Sequence, residues 1–500
     1  MNTEDRIRQE RLKKLQDIRK QGIDPYPASF KKTHDAGALQ EKYAHTADLG
    51  DTGEKKNGEK KTGKAAVKAA VAGRLMSLRR MGKSAFGHLL DTTGSIQIFM
   101  SQDRTSHYSF LQFIDRGDIL GIEGSIFRTK TGELTVEAKT ISLLAKSLEP
   151  LPEKFHGLVD TELRYRERYT DLVMNPQVKK TFEMRSRIFQ AMREFLLSKG
   201  YVEVETPILQ PVYGGAAARP FTTKHNTLGM NLYLRISNEL YLKRLLVGGF
   251  EKVFEFSKDF RNEGIDTQHN PEFTLMETMT AYHDYNDSMK LTEEMLASVC
   301  QAVLGTTEIG YQGTKISFKP PFAKMTMLEA VKKHTPVDFT NLNAAQAKEA
   351  AQKLKVPLEN KETKGAILAA VYDETVESKL IQPTFILDYP KEVSPLAKAK
   401  PANPDFTERF ELVINGREIA NVYTELNDPG ILKENWKQQE QLLKKGDEEA
   451  QRTDKDFLKA LEVGMPPASG IGIGMDRLVM LLTNSASIRD VLFFPAMREK

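Results

Sequence analysis

The stretch Phe254–Glu277, FEFSKDFRNEGIDTQHNPEFTLME, gathers the side chains best suited to chemistry. At period two, Glu255, Ser257, Asp259, Arg261 and Glu263 share one parity, and Phe254, Phe256 and Phe260 the other. The pattern predicts a strand with an apolar face on a core and a polar face turned outward. A loop over Gly264–Pro271 returns the chain as Phe273-Thr-Leu-Met-Glu277, giving an antiparallel pair that presents Arg261, Glu263, His269, Phe273 and Glu277. A guanidinium fork matches phosphate oxygens and an aromatic ring stacks on a base, so the pair suits a nucleotide. Taken alone, an Arg-x-Glu strand reads better as a surface hairpin laced with ion pairs.

Two further stretches carry chemistry. In Phe410–Glu425, FELVINGREIANVYTE, Asn415-Gly416 favours a two-residue type I′ turn, which sets Val413 opposite Glu418 and Glu411 opposite Ala420. Glu411 and Glu418 then lie diagonally on one face, close enough to hold a hard cation. Asn421, Tyr423 and Glu425 have the other parity and would need a bulge to face the same site. Near the C-terminus, Gly470-Ile-Gly472-Ile-Gly474 runs into the apolar helix Met475–Leu482, which carries Arg477. A dinucleotide fingerprint is the rival reading, but the third glycine of G-x-G-x-x-G is missing and too little chain follows for a βαβ unit. Repeated glycine in a strand signals close approach by a ligand or another backbone.

The chain must supply elements that hold these stretches together. Five hundred residues allow about two to four domains. A composition of 40% hydrophobic and 28% charged residues is that of an ordinary soluble protein, and no apolar run is long enough to span a membrane. One cysteine, Cys300, excludes an intrachain disulfide and a cysteine zinc site and fits a reducing cytoplasm. Net charge is only +4, from 72 basic and 68 acidic residues, so nucleic-acid contact would depend on local patches. Residues 1–65 hold such patches: an exposed basic helix over 4–21, a second short helix near Asp35–Tyr43, and a Gly-, Lys- and Thr-rich connector over Asp48–Lys64.

From residue 66 to 149 the pattern becomes β. Five strand-like runs, with a helical piece at Tyr108–Phe113 after the third, suit an OB-type Greek-key barrel, on whose face Arg79, Phe86 and Gln97 would lie. A linker occupies 150–176. Residues 177–500 then open with an amphipathic helix striped by Val178, Phe182, Phe189, Met192 and Leu196, closed by Gly200, and the strand Tyr201–Pro207. Ser237-Asn238 caps a helix beginning at Glu239, and residues around 284–380 read as a helical insertion. The fold class is α+β: a barrel followed by an antiparallel sheet flanked by helices.

Three stretches now coincide in order and spacing. Gly200–Pro207, Phe260–Phe273 and Gly470–Arg477 resemble motifs 1, 2 and 3 of class II aminoacyl-tRNA synthetases. The preceding barrel is similar to that of subclass IIb, which activates lysine, aspartate or asparagine. The strings RNEGIDTQHNPEFTLME, YLRISNELYLKRLLVGGFEKVFE, TELND and IRDVLFFPAMR resemble the lysine-specific members. Chemistry agrees, because a ligand with two ammonium groups needs carboxylates, and Glu239, Glu277 and Glu425 supply three.

The resemblance implies ATP-dependent activation of L-lysine and its transfer to tRNA(Lys), with catalytic roles for Arg261 and Arg477. Glu425 would meet the ε-ammonium; Glu239, Glu277 and Asn421 would help hold the amines; Gly215 and Gly472 would line the lysine site. Arg261 would bridge the lysine carboxylate and the ATP α-phosphate. Phe273 and Arg477 would sandwich adenine, Glu263 would contact its exocyclic amine, and His269 the phosphate tail. Glu411 and Glu418 match magnesium positions, Arg79, Phe86 and Gln97 would read the anticodon, and motif 1 would form a homodimer interface in a cytoplasmic enzyme. Family members usually carry tyrosine where this chain has Met279; its absence implies weaker lysine binding, a rearranged contact with Tyr423 as the candidate, a changed amine preference, or a bland packing substitution. The alternatives are a lysine ligase acting on a protein acceptor, and a non-catalytic RNA-binding paralogue.

Overall fold

The computed structural model describes residues 3–46, 49, 66–152, 158–358, 361–444 and 452–499. They fall into two compact units, Met1–Gly157 and Leu158–Lys500. Apart from Leu49, the connector read at Asp48–Lys64 lies outside the described residues.

In the first unit, strands Lys68–Met81, Ser84–Leu90, Ser95–Ser101, Leu134–Ala145 and Ile119–Arg128 close, in that spatial order, into a barrel. A 3₁₀ turn at Tyr108–Phe113 follows the third strand. Alternate residues such as Ile96, Ile98 and Met100 fill the interior. The basic helix Thr3–Lys20 is not simply exposed, as its charge suggested. Arg11, Leu15 and Ile18 are buried, and the Arg11 guanidinium donates to the carbonyls of Arg116, Ser147 and Glu149.

The second unit is built on an eight-stranded sheet. Its order is Ala323–Thr326, Thr384–Leu387, Arg409–Val413, Glu418–Thr424, Ala468–Gly474, Glu272–Ala281, Lys252–Phe260, Val202–Glu203. The outermost pair at each end is parallel and the interior pairs are antiparallel. One face is apolar: Phe254, Met276, Phe410, Leu412, Val422, Ile471 and Ile473 pack with Ile188, Met192 and Leu196 of the helix Pro176–Ser198. Phe189, expected on that helix's buried stripe, is only partly buried, and Ile188 takes the deeper place.

Two expectations change. The helix Tyr285–Leu304 sends Met295, Leu296 and Val299 into the main core, and Ala323–Thr326 joins the sheet, so residues 284–380 are not all insertion. The later helices, with Val331, Ile367 and Val371, form a second core that also takes in Ile386 and Val413 of the sheet. The polar face of Lys252–Phe260 is not turned to solvent. Glu255, Ser257 and Asp259 are buried, and Arg235 pairs with Glu255 at 2.8 Å and with Asp259 at 3.1 Å. Alternation showed that these residues face away from the core, but not that a second layer with its own cation covers them.

Candidate active site

The glycine strand Ala468–Gly474 lies between Glu272–Ala281 and Glu418–Thr424. Register places Glu255, Glu277, Gly472, Asn421 and Glu411 in one row across five strands. The next row is Val253, Met279, Gly470, Tyr423 and Arg409. Polar side chains thus rise on both sides of a strand without any, forming a trough. A Cβ at Gly472 would find no protein atom nearer than 3.7 Å, so that part of the floor is open. Gly470 differs: a Cβ there would lie 2.5 Å from Glu425 Oε1 and 2.7 Å from Met279 Cε. The cavity over this floor is lined by Gly215, Glu239, Arg261, Glu263, His269, Phe273, Glu277, Glu411, Glu418, Asn421, Tyr423, Glu425, Gly472 and Arg477. The structure therefore brings together every site residue picked from sequence in this unit, and Met279 lines the cavity with them.

The arrangement on the 418–424 strand required what alternation alone forbade. Val413 faces Glu418 as the turn dictates, but Leu412 faces Ala420, so Ile419 is an extra residue. The bulge puts Asn421, rather than Ala420, opposite Glu411 and turns Asn421 and Tyr423 toward the cavity with Glu418.

One end of the trough is acidic. Burial and then the charge of Glu418 push the Glu411 carboxyl up to about 8. Glu377 sits behind, accepting from the Glu418 backbone N–H at 3.0 Å; burial and then Glu418 push it up to about 7. Arg409 holds this end in place, donating to Glu411 Oε1 at 2.6 Å and to Asn421 Oδ1 at 3.1 Å. Two carboxylates lining one cavity, with the charge of Glu418 raising the proton affinity of Glu411, are the oxygen donor set a hard divalent cation takes, so Glu411 and Glu418 fit magnesium.

The other end gathers Glu239, Glu277 and Glu425. Glu239 opens the helix Glu239–Val247. Ser237 Oγ accepts from the Glu239 N–H at 3.1 Å and donates to Glu277 Oε1 at 3.2 Å, so Ser237 does the capping. Asn238 instead donates to Glu255 at 2.9 Å. Glu277 is held well above the ordinary carboxylate range by burial, then by Asp259 and Glu239. Glu425, wholly buried, is pushed up to about 8 by burial against the opposing pull of Lys243. The Tyr423 hydroxyl donates to Glu239 Oε2. Gly215 has φ +89°, and a Cβ there would lie 2.9 Å from Ser237 Oγ, so this loop needs glycine.

The wall carrying Arg261, His269, Phe273 and Arg477 is basic and aromatic. The Arg261 guanidinium lies 5.1 Å from the Phe273 ring centroid, and its buried Nε has no hydrogen-bond partner among the described residues. His269 joins Asp266 (Nδ1–Oδ2 2.8 Å) to Arg477 (Nε2–Nη2 3.1 Å). Arg477 also donates to the Glu418 carbonyl at 2.8 Å. An orphaned guanidinium N–H beside an aromatic ring is a place for a phosphate or carboxylate.

Residues 160–498 match the family described as tRNA synthetases class II (D, K and N). The lysine–tRNA ligase of Carboxydothermus hydrogenoformans is 52% identical over 493 residues, 98% of this chain and 97% of that protein. That of Pelotomaculum thermopropionicum is 51% identical over 500 residues, 99% of this chain and 95% of that protein. The chain belongs to the lysine–tRNA ligase family. Residues 69–144 match an OB-fold nucleic-acid-binding domain. On that barrel Arg79 pairs with Phe86, and His88 with Gln97, across adjacent strands. Phe86 and Phe99 have ring centroids 4.8 Å apart, and Glu133 accepts from Gln97 at 2.6 Å. In both units of this ligase-family chain, sequence reasoning missed the partners behind the contact residues. Phe99, His88 and Glu133 escaped notice on the barrel, and Arg235, Lys243, Glu377 and Arg409 in the trough.

Proposed function

We propose that this protein activates L-lysine with ATP and transfers it to tRNA(Lys), using the trough as its ATP-plus-lysine pocket. One observation carries the reading: a single cavity joins three carboxylates able to meet two ammonium groups, a guanidinium for a phosphate, and a carboxylate pair for a cation. An aspartate-specific site would need a cation where Glu277 and Glu425 stand. In the first step the lysine carboxylate attacks the α-phosphorus in line; the new O–P bond forms as the bond to the bridging oxygen breaks, and pyrophosphate leaves. Arg261 spans the two reacting groups, and Glu239, Glu277 and Glu425 fix the amines so that the carboxylate points to the phosphorus. Phe273 and Arg477 hold adenine between them, Glu263 its exocyclic amine, and His269 the phosphate tail. Mg²⁺ held by Glu411 and Glu418 would neutralise phosphate charge. In the second step the 3′-hydroxyl of the terminal adenosine attacks the acyl carbonyl, AMP departs with the electron pair, and the hydroxyl proton passes to solvent. No general base is needed for the first step, because the nucleophile is already an anion.

Arg79, Phe86 and Gln97 would read the anticodon. Exposed Leu197, Val202, Ile208 and Leu209 around motif 1 support a homodimer through that face. No described helix is long and apolar enough to cross a membrane, and with one buried cysteine a cytoplasmic setting is proposed. ATP–pyrophosphate exchange across all twenty amino acids tests the reading. Exchange with lysine alone is expected; selection of another amino acid overturns it.

A further inference from the structure

We propose that Lys243 is a built-in cation of the amino-acid pocket, a positioning residue that fixes at two the positive charges the ligand must bring. The proposal rests on the lysine reading above. Lys243 lies one helical turn after Glu239, and its side chain is 1% exposed. Its Nζ ion-pairs with Glu239 Oε1 and sits 2.5 Å from Glu425 Oε2. It also lies 5.5 Å from the Tyr423 ring centroid. Lys243 is not among the residues lining the cavity, so its ammonium ties together from behind two carboxylates that meet the ligand in front.

The charge count follows. Once ionised, Glu239, Glu277 and Glu425 bring three negative charges to this end, and Lys243 one positive, leaving a demand for two. L-Lysine supplies both as its α- and ε-ammonium groups, and its carboxylate is left to Arg261. Without Lys243 the ligand would be one charge short, and a buried carboxylate without a counter-charge takes up a proton.

The groups facing Lys243 and its partners are Glu239 on its own helix, Tyr423 and Glu425 from the acidic hairpin, and Glu277 from the central one. Arg235, Glu255 and Asp259 stand behind Glu277. Tyr423 remains a neutral donor, since burial and then Glu239 and Glu425 hold its hydroxyl well above its ordinary pKa. Burial disfavours the Lys243 ammonium, but Glu239 and Glu425 outweigh that and raise its pKa. Glu425 titrates at about 8 in the empty site and must be ionised to receive the ligand. Glu277 is raised by burial too, so the KM for lysine falls as pH rises from about 6 through that value. Removing the Lys243 charge raises the Glu425 midpoint further, and a midpoint one pH unit higher means about a tenfold rise in KM at neutral pH.

The test is lysine KM and kcat in ATP–pyrophosphate exchange between about pH 6 and 9 for the unsubstituted protein, K243M, K243R and K243M/E239Q. K243M is expected to move the KM midpoint upward by about one pH unit or more, with KM changed far more than kcat. K243R, which keeps the charge, retains the original midpoint. K243M/E239Q restores the charge count, so its midpoint returns although the Glu239 contact is lost. An unchanged K243M profile, or an equal rise for K243M and K243R at every pH, overturns the proposal. If circular dichroism shows K243M unfolded, the double variant decides: an original midpoint supports the proposal and an alkaline one overturns it. Absence of lysine-dependent exchange in the unsubstituted protein would instead overturn the functional reading.

Discussion

Gly472→Ala separates the space the protein needs from the space the ligand needs. The new Cβ would meet only the Asn421 carbonyl oxygen at 3.7 Å and Glu277 Cγ at 3.9 Å, both ordinary contacts. Gly472 is not among the glycines with left-handed backbone, so alanine fits without strain. Restricting the unfolded chain then stabilises the fold by about 0.4–1 kcal/mol. The methyl enters the trough between Glu277 and Asn421, where the ligand would lie. Overpacking costs about 1–3 kcal/mol, so the KM for lysine should rise roughly 5- to 150-fold. Gly470→Ala is the contrast. Its Cβ would lie 2.5 Å from Glu425 Oε1 and 2.9 Å from Met279 Sδ. The thioether can swing aside, but Glu425 is held by Lys243, so this variant loses thermal stability as well as lysine affinity. Thermal melting and lysine-dependent pyrophosphate exchange on both variants provide the check. A Gly472→Ala protein that melts well below the original, or that keeps its KM, would refute the assignment of the floor to the ligand.

Other perturbations probe the remaining parts. Arg261→Ala should lower kcat/KM for exchange by about a thousandfold without changing the circular dichroism spectrum, because the guanidinium is asked to stabilise developing charge. Near-normal exchange would remove it from the reacting centre. Glu411→Gln keeps an oxygen to accept from Arg409 but removes a charge that the cation would meet. The Mg²⁺ concentration for half-maximal exchange should rise about tenfold, a loss of about 1.4 kcal/mol in cation affinity. A magnesium curve identical to the original contradicts the assigned role. Phe86→Ala should weaken tRNA charging by the worth of one stacked base, about 1–3 kcal/mol, while sparing exchange. Equal loss of both activities rules out a purely anticodon role.

The legible parts of this chain were those where a local pattern has one physical solution. Asn415-Gly416 fixes a hairpin, five strand-like runs closed into the barrel, and a glycine strand beside carboxylate-bearing strands marked the trough floor. Parity correctly grouped Glu255, Ser257 and Asp259, but burial of that face depends on Arg235, a residue of a different segment. The extra residue at Ile419 left no local signature, because Glu-Ile-Ala-Asn-Val-Tyr alternates acceptably either way. Lys243 carried no reading of its own, and only the fold puts Glu239 and Glu425 on either side of its ammonium. The bounds of the insertion failed for a related reason. The 285–304 helix is amphipathic whichever core it faces, and sequence period does not name the partner.

The bulge also has a consequence for how this hairpin tolerates change. Two independent length counters run along it: the turn sets the phase of Glu418 against Glu411, and Ile419 resets the phase for Asn421 and Tyr423. Swapping side chains alters the strength of one contact, whereas deleting or adding one residue at either counter inverts every position beyond it. Glu418 on one side and Asn421 with Tyr423 on the other are thus phased separately on a single strand. Each is open to tuning by substitution, and both are closed to variation in length.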